Sequence, residues 1–319
     1  MKSITWSLMA SLLCVTVLAS AAFAEGTPCD PCAAPAAEKK PGQLPNGKIS
    51  LTKLAPPITR VFGYEGKFMR RSTLLGDLWG TRTCAYEKGF QLDAQLTQVY
   101  QGVVDGGAAE KWRYNGLLEV NLAVDTAKVG LWSGGVFQAT LQTSFGNPLS
   151  SEAGNVSPAN FTPMWPTPFV DGTELMEYYF VQGLPADMSL IIGRLDATNF
   201  LDKTSFANNP ESQFLNASFN NMLLWGGFLS FSTYGALLDI PINKNFSVAL
   251  AAWDPETLPG DYAGVWENYG VALQPSLSYE ICRGLKGKFT PVFAYVSKDA
   301  TAFDNPRLVP DLVLGCLLY

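Results

Sequence analysis

The chain has 319 residues, with 22 Lys and Arg against 28 Asp and Glu, and it contains no histidine. Charged residues make up 16% of the chain, against about 25% in an ordinary soluble domain. The lack of histidine excludes Ser-His-Asp and Cys-His catalysis and every histidine-anchored metal site, so no cofactor is expected. The net charge of −6 argues against a nucleic-acid partner, which would require a basic face.

The N-terminal residues are typical of a secretory signal peptide. Lys2 precedes an apolar run over residues 6–18, and Ala22-Phe-Ala24 has the small residues of a cleavage site. We therefore expect residues 1–24 to be removed after Ala24; an uncleaved anchor is the alternative, but no basic stop-transfer flank follows. Residues 25–60 are rich in Pro and Ala and predict a flexible periplasmic linker, followed by one folded domain over residues 61–319.

The exported chain offers no long apolar segment for a transmembrane helix. After Ala24 no stretch approaches the ~18 uninterrupted apolar residues that such a helix needs. Only helices and closed barrels satisfy all backbone hydrogen bonds in lipid. If this chain enters a membrane, we expect it to do so as a β-barrel.

Five cysteines follow the cleavage site, in a compartment that permits disulfides. Cys29 and Cys32 lie in the Pro/Ala-rich segment and are candidates for a local disulfide or a tether. Cys282 and Cys316 lie near the C-terminus and are candidates for a second bridge. The odd number leaves at least one cysteine unpaired or paired between chains.

One helix is predicted in the folded domain, over residues 77–88. Asp77 can cap its N-terminus, Lys88 lies in its last turn, and Gly89 suits the left-handed position that follows a helix.

From Phe90 onward, apolar and polar residues alternate with the period of a β-strand. The segments with this pattern are 90–97, 118–125, 137–142, 174–182, 189–196, 223–231, 234–240, 246–253, 269–281, 288–296 and 309–319. Single-chain bacterial barrels have an even number of strands, so we expect about 12.

The polar face of these segments is rich in Gln, Asn, Thr and Ser rather than in Lys and Glu. This composition favours a confined aqueous lumen with the apolar face on lipid. A soluble double-sheet jelly roll is the alternative. The apolar last segment ends in Tyr319, which resembles the assembly signal of bacterial outer-membrane proteins.

Five short motifs occur in order between residues 74 and 220. They are LLGDLWGTR at 74–82 followed by EKGF at 87–90, GLWSGG at 130–135, EYYFVQ at 177–182, IGRLD at 192–196, and Phe206 with SQFLNASF at 212–219. In this order they resemble the OprB-type carbohydrate-selective porins, outer-membrane proteins of bacteria. Beyond residue 220 the similarity becomes generic.

The resemblance implies an all-β fold, a transmembrane antiparallel barrel with a short helix before its first strand. The family usually has sixteen strands, for which this chain is short. It also implies diffusion of neutral sugars through a water-filled lumen in the outer membrane, without enzyme activity; sugars and membrane lipid are the expected partners, and a homo-oligomer is allowed. The candidate lumen residues are the polar Glu177, Arg194, Asp196 and Asn199 and the aromatic Tyr179 and Trp225.

Each candidate also has a structural interpretation. Arg194 and Asp196, two residues apart on one predicted strand, could form a wall pair on a shared face. Tyr179 and Trp225 could be aromatic residues of the membrane interface. Glu177 and Asp196 could form the carboxylate pair of a glycoside hydrolase, and a non-transporting structural barrel is a further alternative. The Pro-rich stretch 146–172 could be an outer loop or could fold inward.

Overall fold

A computed structural model gives the architecture of most of the folded domain. It describes residues 73–149, 153–154, 158–162, 171–201, 207–220, 231–257, 266–281, 285–301 and 308–318. The expectations for the signal peptide, the linker, Trp225, Tyr319 and the cysteines 29, 32 and 282 lie outside these residues. Cys316 lies in a described strand, but its side chain is outside the description.

Antiparallel strands dominate the described residues, and each of them pairs with its neighbour in sequence. They are β1 (Phe90–Gly102), β2 (Trp112–Asp125), β3 (Gly135–Gly146), β4 (Gly172–Gly183), β5 (Ser189–Leu195), β6 (Thr233–Pro241), β7 (Phe246–Trp253), β8 (Gly270–Ile281), β9 (Leu285–Thr301) and β10 (Leu308–Leu318). All but one of the predicted strand segments coincide with these strands. The remaining segment, 223–231, lies outside the described residues except for its last residue. The all-β prediction is therefore confirmed.

The two faces of the sheet differ as the alternating pattern requires. On one face, Leu250 and Leu273 lie opposite each other, and Phe293 lies opposite Leu273 on the next strand. All three side chains are exposed. On the other face, polar side chains such as Gln138 and Thr140 are buried. We call the first the exposed face and the second the buried face.

The buried face changes character along the sheet. On β1 to β4 it bears mostly amide, hydroxyl and carboxyl groups. On β5 to β9 it bears an apolar cluster that includes Ile191, Leu237, Trp253, Ala272 and Val292. The short helix α2 (Thr198–Leu201), which follows β5, adds Leu201 to this cluster. The connection between β5 and β6 therefore packs on the buried face of the sheet.

The helix before the first strand is shorter than predicted. Helix α1 spans Thr81–Glu87, so it begins four residues after the expected start. The reason is the backbone of Leu78, Trp79 and Gly80, whose φ angles of 49°, 58° and 87° are left-handed. The Asp77 carboxylate still accepts a hydrogen bond from the Thr83 N–H at 2.8 Å.

Helix α1 is fastened to the start of the sheet. Gly89 follows it with a φ of 95°, as predicted. The Arg82 guanidinium pairs with Asp93 of β1, and Lys128 Nζ donates to the Tyr86 carbonyl at 2.9 Å. Cys84 is disulfide-bonded, which the sequence did not predict.

The helices within the described residues are short, and none of them is long and apolar enough to cross a membrane.

Replacing Gly193 of β5 with alanine should destabilise the fold strongly. Its φ is +144°, and an added Cβ would lie 2.5 Å from the Tyr178 carbonyl oxygen and 2.6 Å from Tyr179 Cα. Gly106→Ala is the matched control, because Gly106 also has a positive φ but nothing lies within 4 Å of an added Cβ. Backbone strain alone costs about 1–3 kcal/mol. The temperature at which the folded form unfolds on a gel should fall further for Gly193→Ala; equal shifts would contradict the clash.

Candidate functional site

A cavity of about 210 Å³ lies on the polar part of the buried face. Strands β2, β3 and β4 form its wall, and residues from the β3–β4 and β5–β6 connections cover it. The polar residues that line it are Glu119, Asn121, Gln138, Thr140, Gln142, Thr162, Glu177, Asp196, Thr198, Asn199, Asn208, Asn209 and Glu211.

Glu177 is the residue that joins the wall of this cavity to its cover. Its Oε2 accepts a hydrogen bond from Thr140 Oγ1 on the neighbouring strand at 3.2 Å. Its Oε1 accepts from the Asp196 N–H at 2.9 Å and from Asn199 Nδ2 at 3.5 Å. The carboxylate of this wall residue therefore holds the chain in place where it leaves β5.

A second carboxylate, Glu119, organises the side of the cavity formed by β2 and β3. It accepts hydrogen bonds from Asn121 Nδ2 at 2.7 Å and from Gln142 Nε2 at 2.8 Å. The Thr140 hydroxyl lies 2.8 Å from Asn121 Oδ1. Because Thr140 also lies beside Glu177, the polar groups of three strands form one hydrogen-bonded network.

The β5–β6 connection extends across the buried face as far as β1. Glu211 accepts hydrogen bonds from the Gln95 side chain and, at 2.7 Å, from Thr97 Oγ1. These two β1 residues precede Glu211 by more than 110 positions in the sequence. Burial of the Glu211 carboxyl raises its pKa.

The described part of the β3–β4 connection lies on the β5–β6 connection. The Phe161 N–H donates to the Leu215 carbonyl at 2.8 Å, and the Ala217 N–H donates to the Pro158 carbonyl at 3.0 Å. Phe161 and Thr162 line the cavity. Within the stretch 146–172, the described residues 158–162 therefore follow the inward course.

Asp196 lies just beyond β5 and its carboxyl is closely surrounded. Burial, and then the neighbouring Glu177 carboxylate, raise the pKa of Asp196 to about 8, while hydrogen bonds from the Thr198 hydroxyl and backbone N–H act in the opposite direction. The hydroxyl lies 2.6 Å and the N–H 2.8 Å from Asp196 Oδ1. Because the pKa is raised, this carboxyl is neutral below about pH 8 and gains its charge above it.

A pH-dependent cation preference follows from this pKa. Raising the pH from 6 to 9 adds a negative charge to the cavity as Asp196 ionises near pH 8. The affinity of the folded chain for a monovalent organic cation, measured by calorimetry, should increase over this range. In Asp196→Asn the increase should be smaller, because the amide does not ionise. An unchanged pH response in that variant would contradict the assignment.

The structure brings together three of the residues predicted from sequence. Glu177, Asp196 and Asn199 all line the same cavity, two of them from the segment that follows β5. The chain turns inward there because β5 ends at Leu195. The shared-face interpretation of Arg194 and Asp196 is therefore wrong, since the strand alternation does not reach Asp196.

Arg194 lies away from the cavity. Its neighbours across the two adjacent strands are Tyr178 and Tyr234, so it belongs to the exposed-face row of the sheet. It is nevertheless 0% exposed, because its guanidinium lies against the Tyr234 ring and its Nε donates to Ser232 Oγ at 2.6 Å. The structure does not bring Arg194 to the candidate site.

Tyr179 lies on the buried face, next to the cavity, but it does not line it. Its ring is 1% exposed and meets Phe200 edge-on, with ring centres 5.8 Å apart. The ring is thus covered by protein and offers no open surface to a solute.

Several lining residues were not among the sequence candidates. Four of them are polar residues of the predicted alternating segments, namely Glu119, Gln138, Thr140 and Gln142. The pattern predicted a polar face for them but did not distinguish them from the other polar residues on that face. Glu211 lies in a connection and has no periodic signal.

The sheet with its exposed apolar face and polar cavity belongs to the class of porin-type folds. The fold is similar to that of Pseudomonas putida OprB in its high-pH structure, with a TM-score of 0.59 and 18% sequence identity. The match covers 73% of this chain and 59% of the OprB chain, which is less than two thirds of that protein. No family model matches the chain, and no curated protein matches it. The OprB-type porin fold expected from the motifs is confirmed.

Proposed function

We propose that this chain is a bacterial outer-membrane porin through which carbohydrates diffuse. The observation that supports it most is the separation of side chains between the two faces. Large apolar residues such as Leu273 are exposed on one face, whereas the hydrogen-bonded network around Glu177 occupies the other. This arrangement suits a closed transmembrane barrel with lipid outside and water inside.

The cavity has the chemistry that a weak sugar site requires. Sugar hydroxyls both donate and accept, and the lining supplies amide, hydroxyl and carboxyl groups for them. The cavity of about 210 Å³ is below the roughly 300–1,000 Å³ of drug-sized sites, so it suits one sugar ring. Weak binding at such a constriction allows the solute to leave again. Within this proposal, Glu177, Asp196 and Asn199 contact the solute.

The same proposal includes the export of the chain and its surroundings in the membrane. The mature protein begins after Ala24, the linker of residues 25–60 lies in the periplasm, and the barrel domain follows. The lipid of the outer membrane contacts the exposed face, and association with further copies of the chain is compatible with it. The low identity to OprB leaves the choice of sugar to experiment.

Single-channel recording tests the proposed function. The full chain, refolded in detergent, is added to a planar bilayer, and the current is recorded with and without glucose. Stepwise conductance that glucose reduces is expected. A bilayer that stays silent would overturn the proposal, and conductance that sugars leave unchanged would reduce it to a general pore.

A non-transporting barrel is the second candidate, and the apolar cluster on β5 to β9 favours it. Leu201 of α2 and Trp253 fill that part of the buried face, so only the polar part is left for water. The absence of conductance in a correctly assembled protein would support this candidate.

An enzyme is the least favoured candidate, although two carboxyl groups, Glu177 and Asp196, line one cavity. Hydrolysis of a chromogenic glycoside that is lost in Glu177→Gln would support it.

A further inference from the structure

We infer that the cavity selects protonated amino sugars over neutral sugars of the same size. This inference rests on the proposed sugar-porin function and assigns the class of solute. The reasons are the sign of the charges around the cavity and the kind of polar atoms that remain unpaired there.

The charged groups of the lining all have the same sign. Four carboxyl groups, from Glu119, Glu177, Asp196 and Glu211, line the cavity, and none of its described lining residues is Lys or Arg. They come from β2, from β4, and from the start and the middle of the β5–β6 connection, so both the wall and the cover of the cavity bear carboxyl groups. A cationic group in this space gains Coulomb energy from each of these carboxyl groups that is ionised, which Asp196 is only above about pH 8, and an anionic solute loses it.

The unpaired atoms of the lining are oxygens. Gln138 is 1% exposed, and its Oε1 has no hydrogen-bond partner among the described residues. The same holds for Thr162 Oγ1, which is also buried, and for Gln142 Oε1. A buried acceptor without a donor costs free energy, which a donor-rich solute recovers. These oxygens are an observation independent of the carboxyl groups. The two amide oxygens can only accept and so require N–H or O–H donors, whereas the Thr162 hydroxyl can accept or donate.

An ammonium group beside sugar hydroxyls meets both requirements. The ammonium has three donors and a positive charge, which suits the carboxyl groups. The hydroxyls can donate to the amide and threonine oxygens. A bare metal ion is a poorer match, since the described residues contain no group of three or more metal-ligating side chains close enough to hold one.

Channel block by matched sugars tests the inference. Glucosamine, glucose and N-acetylglucosamine are compared at pH 6.5 in the bilayer assay. Glucose matches glucosamine in size and lacks its charged nitrogen, whereas N-acetylglucosamine keeps the nitrogen without the charge and is larger by an acetyl group. Glucosamine should half-block the current at a roughly tenfold lower concentration than either neutral sugar, as one charge-assisted hydrogen bond would give. Glu119→Gln combined with Glu211→Gln should remove most of this difference. Asp105→Asn is the matched control, since Asp105 is an exposed carboxylate of the β1–β2 connection.

Different outcomes test the amino-sugar preference and the porin function separately. Equal block by the three sugars, with conductance intact, would overturn the amino-sugar preference and leave the porin standing. A preference that survives in the double variant but is lost in Asp105→Asn would also overturn it, because the charge would then lie outside the cavity. A chain that assembles yet conducts no current would overturn both proposals. Heat-modifiable migration on a gel shows that each variant is folded.

Discussion

Leu273→Arg is expected to lower the yield of this protein assembled in a lipid bilayer, whereas Val104→Arg should assemble normally. Both side chains are exposed, Leu273 at 42% and Val104 at 83%. Leu273 lies in the middle of an apolar row on the exposed face, between Leu250 and Phe293. Val104 lies in the β1–β2 connection.

The two variants differ only if lipid covers the exposed face. An arginine facing the bilayer midplane costs about 2–4 kcal/mol, and the cost falls to about 0–1 kcal/mol near the interfaces. In a soluble jelly roll, both arginines would face water and neither would matter. The fraction of heat-modifiable protein after refolding into phospholipid vesicles measures the difference. Equal yields for the two variants would argue for the soluble fold.

Glu177→Ala is expected to release the β5–β6 connection and to raise the single-channel conductance. The substitution removes the acceptor for the Asp196 N–H and for Asn199 Nδ2, whereas Thr140 Oγ1 keeps Asn121 Oδ1 as an acceptor. Each donor left unpaired in a buried site costs about 1–3 kcal/mol. The connection then has less to hold it over the cavity, and the conducting space widens.

The conservative variant Glu177→Gln separates anchoring from charge. Glutamine keeps one oxygen that can accept from the Asp196 N–H, so its conductance should stay near that of the unmodified chain. An increased conductance in both variants would mean that the charge of Glu177, rather than its hydrogen bonds, limits the current. Unchanged conductance in Glu177→Ala would contradict the anchoring role.

The strands of this fold were largely predictable because their signal is local. The alternation around Leu118 to Asp125 or Phe246 to Trp253 needs no knowledge of other strands, and both segments lie in strands of the structure. The start of α1 was not predictable in this way. The left-handed backbone of Leu78 and Trp79 goes against the ordinary preference of these residue types.

The candidate site depends on contacts that no local pattern contains. Glu211 reaches Gln95, 116 residues earlier in the chain, and the connection that bears Glu211 has no periodicity. Arg194 was predicted to share a face with Asp196 because the period of β5 was extended past Leu195, where the strand ends. Glu177 was recognised because it lies on a strand and inside a family-like motif, so two signals agreed.

The buried face is mostly polar on β1 to β4 and mostly apolar on β5 to β9, and this difference affects the path of a solute in the proposed pore. The apolar side chains on β5 to β9, from Ile191 to Val296, cover most of the buried face there. Few polar side chains lie among them, and two of these, Ser276 and Thr290, pair with each other. Water and solutes in the proposed pore would therefore pass beside the polar side chains of β1 to β4. The apolar cluster on β5 to β9 also lowers the local dielectric constant. Each ionised carboxyl group on β1 to β4 therefore attracts a passing cation more strongly than it would in an open channel. In the proposed porin, the conducting space is therefore narrower and more selective than the number of strands alone suggests.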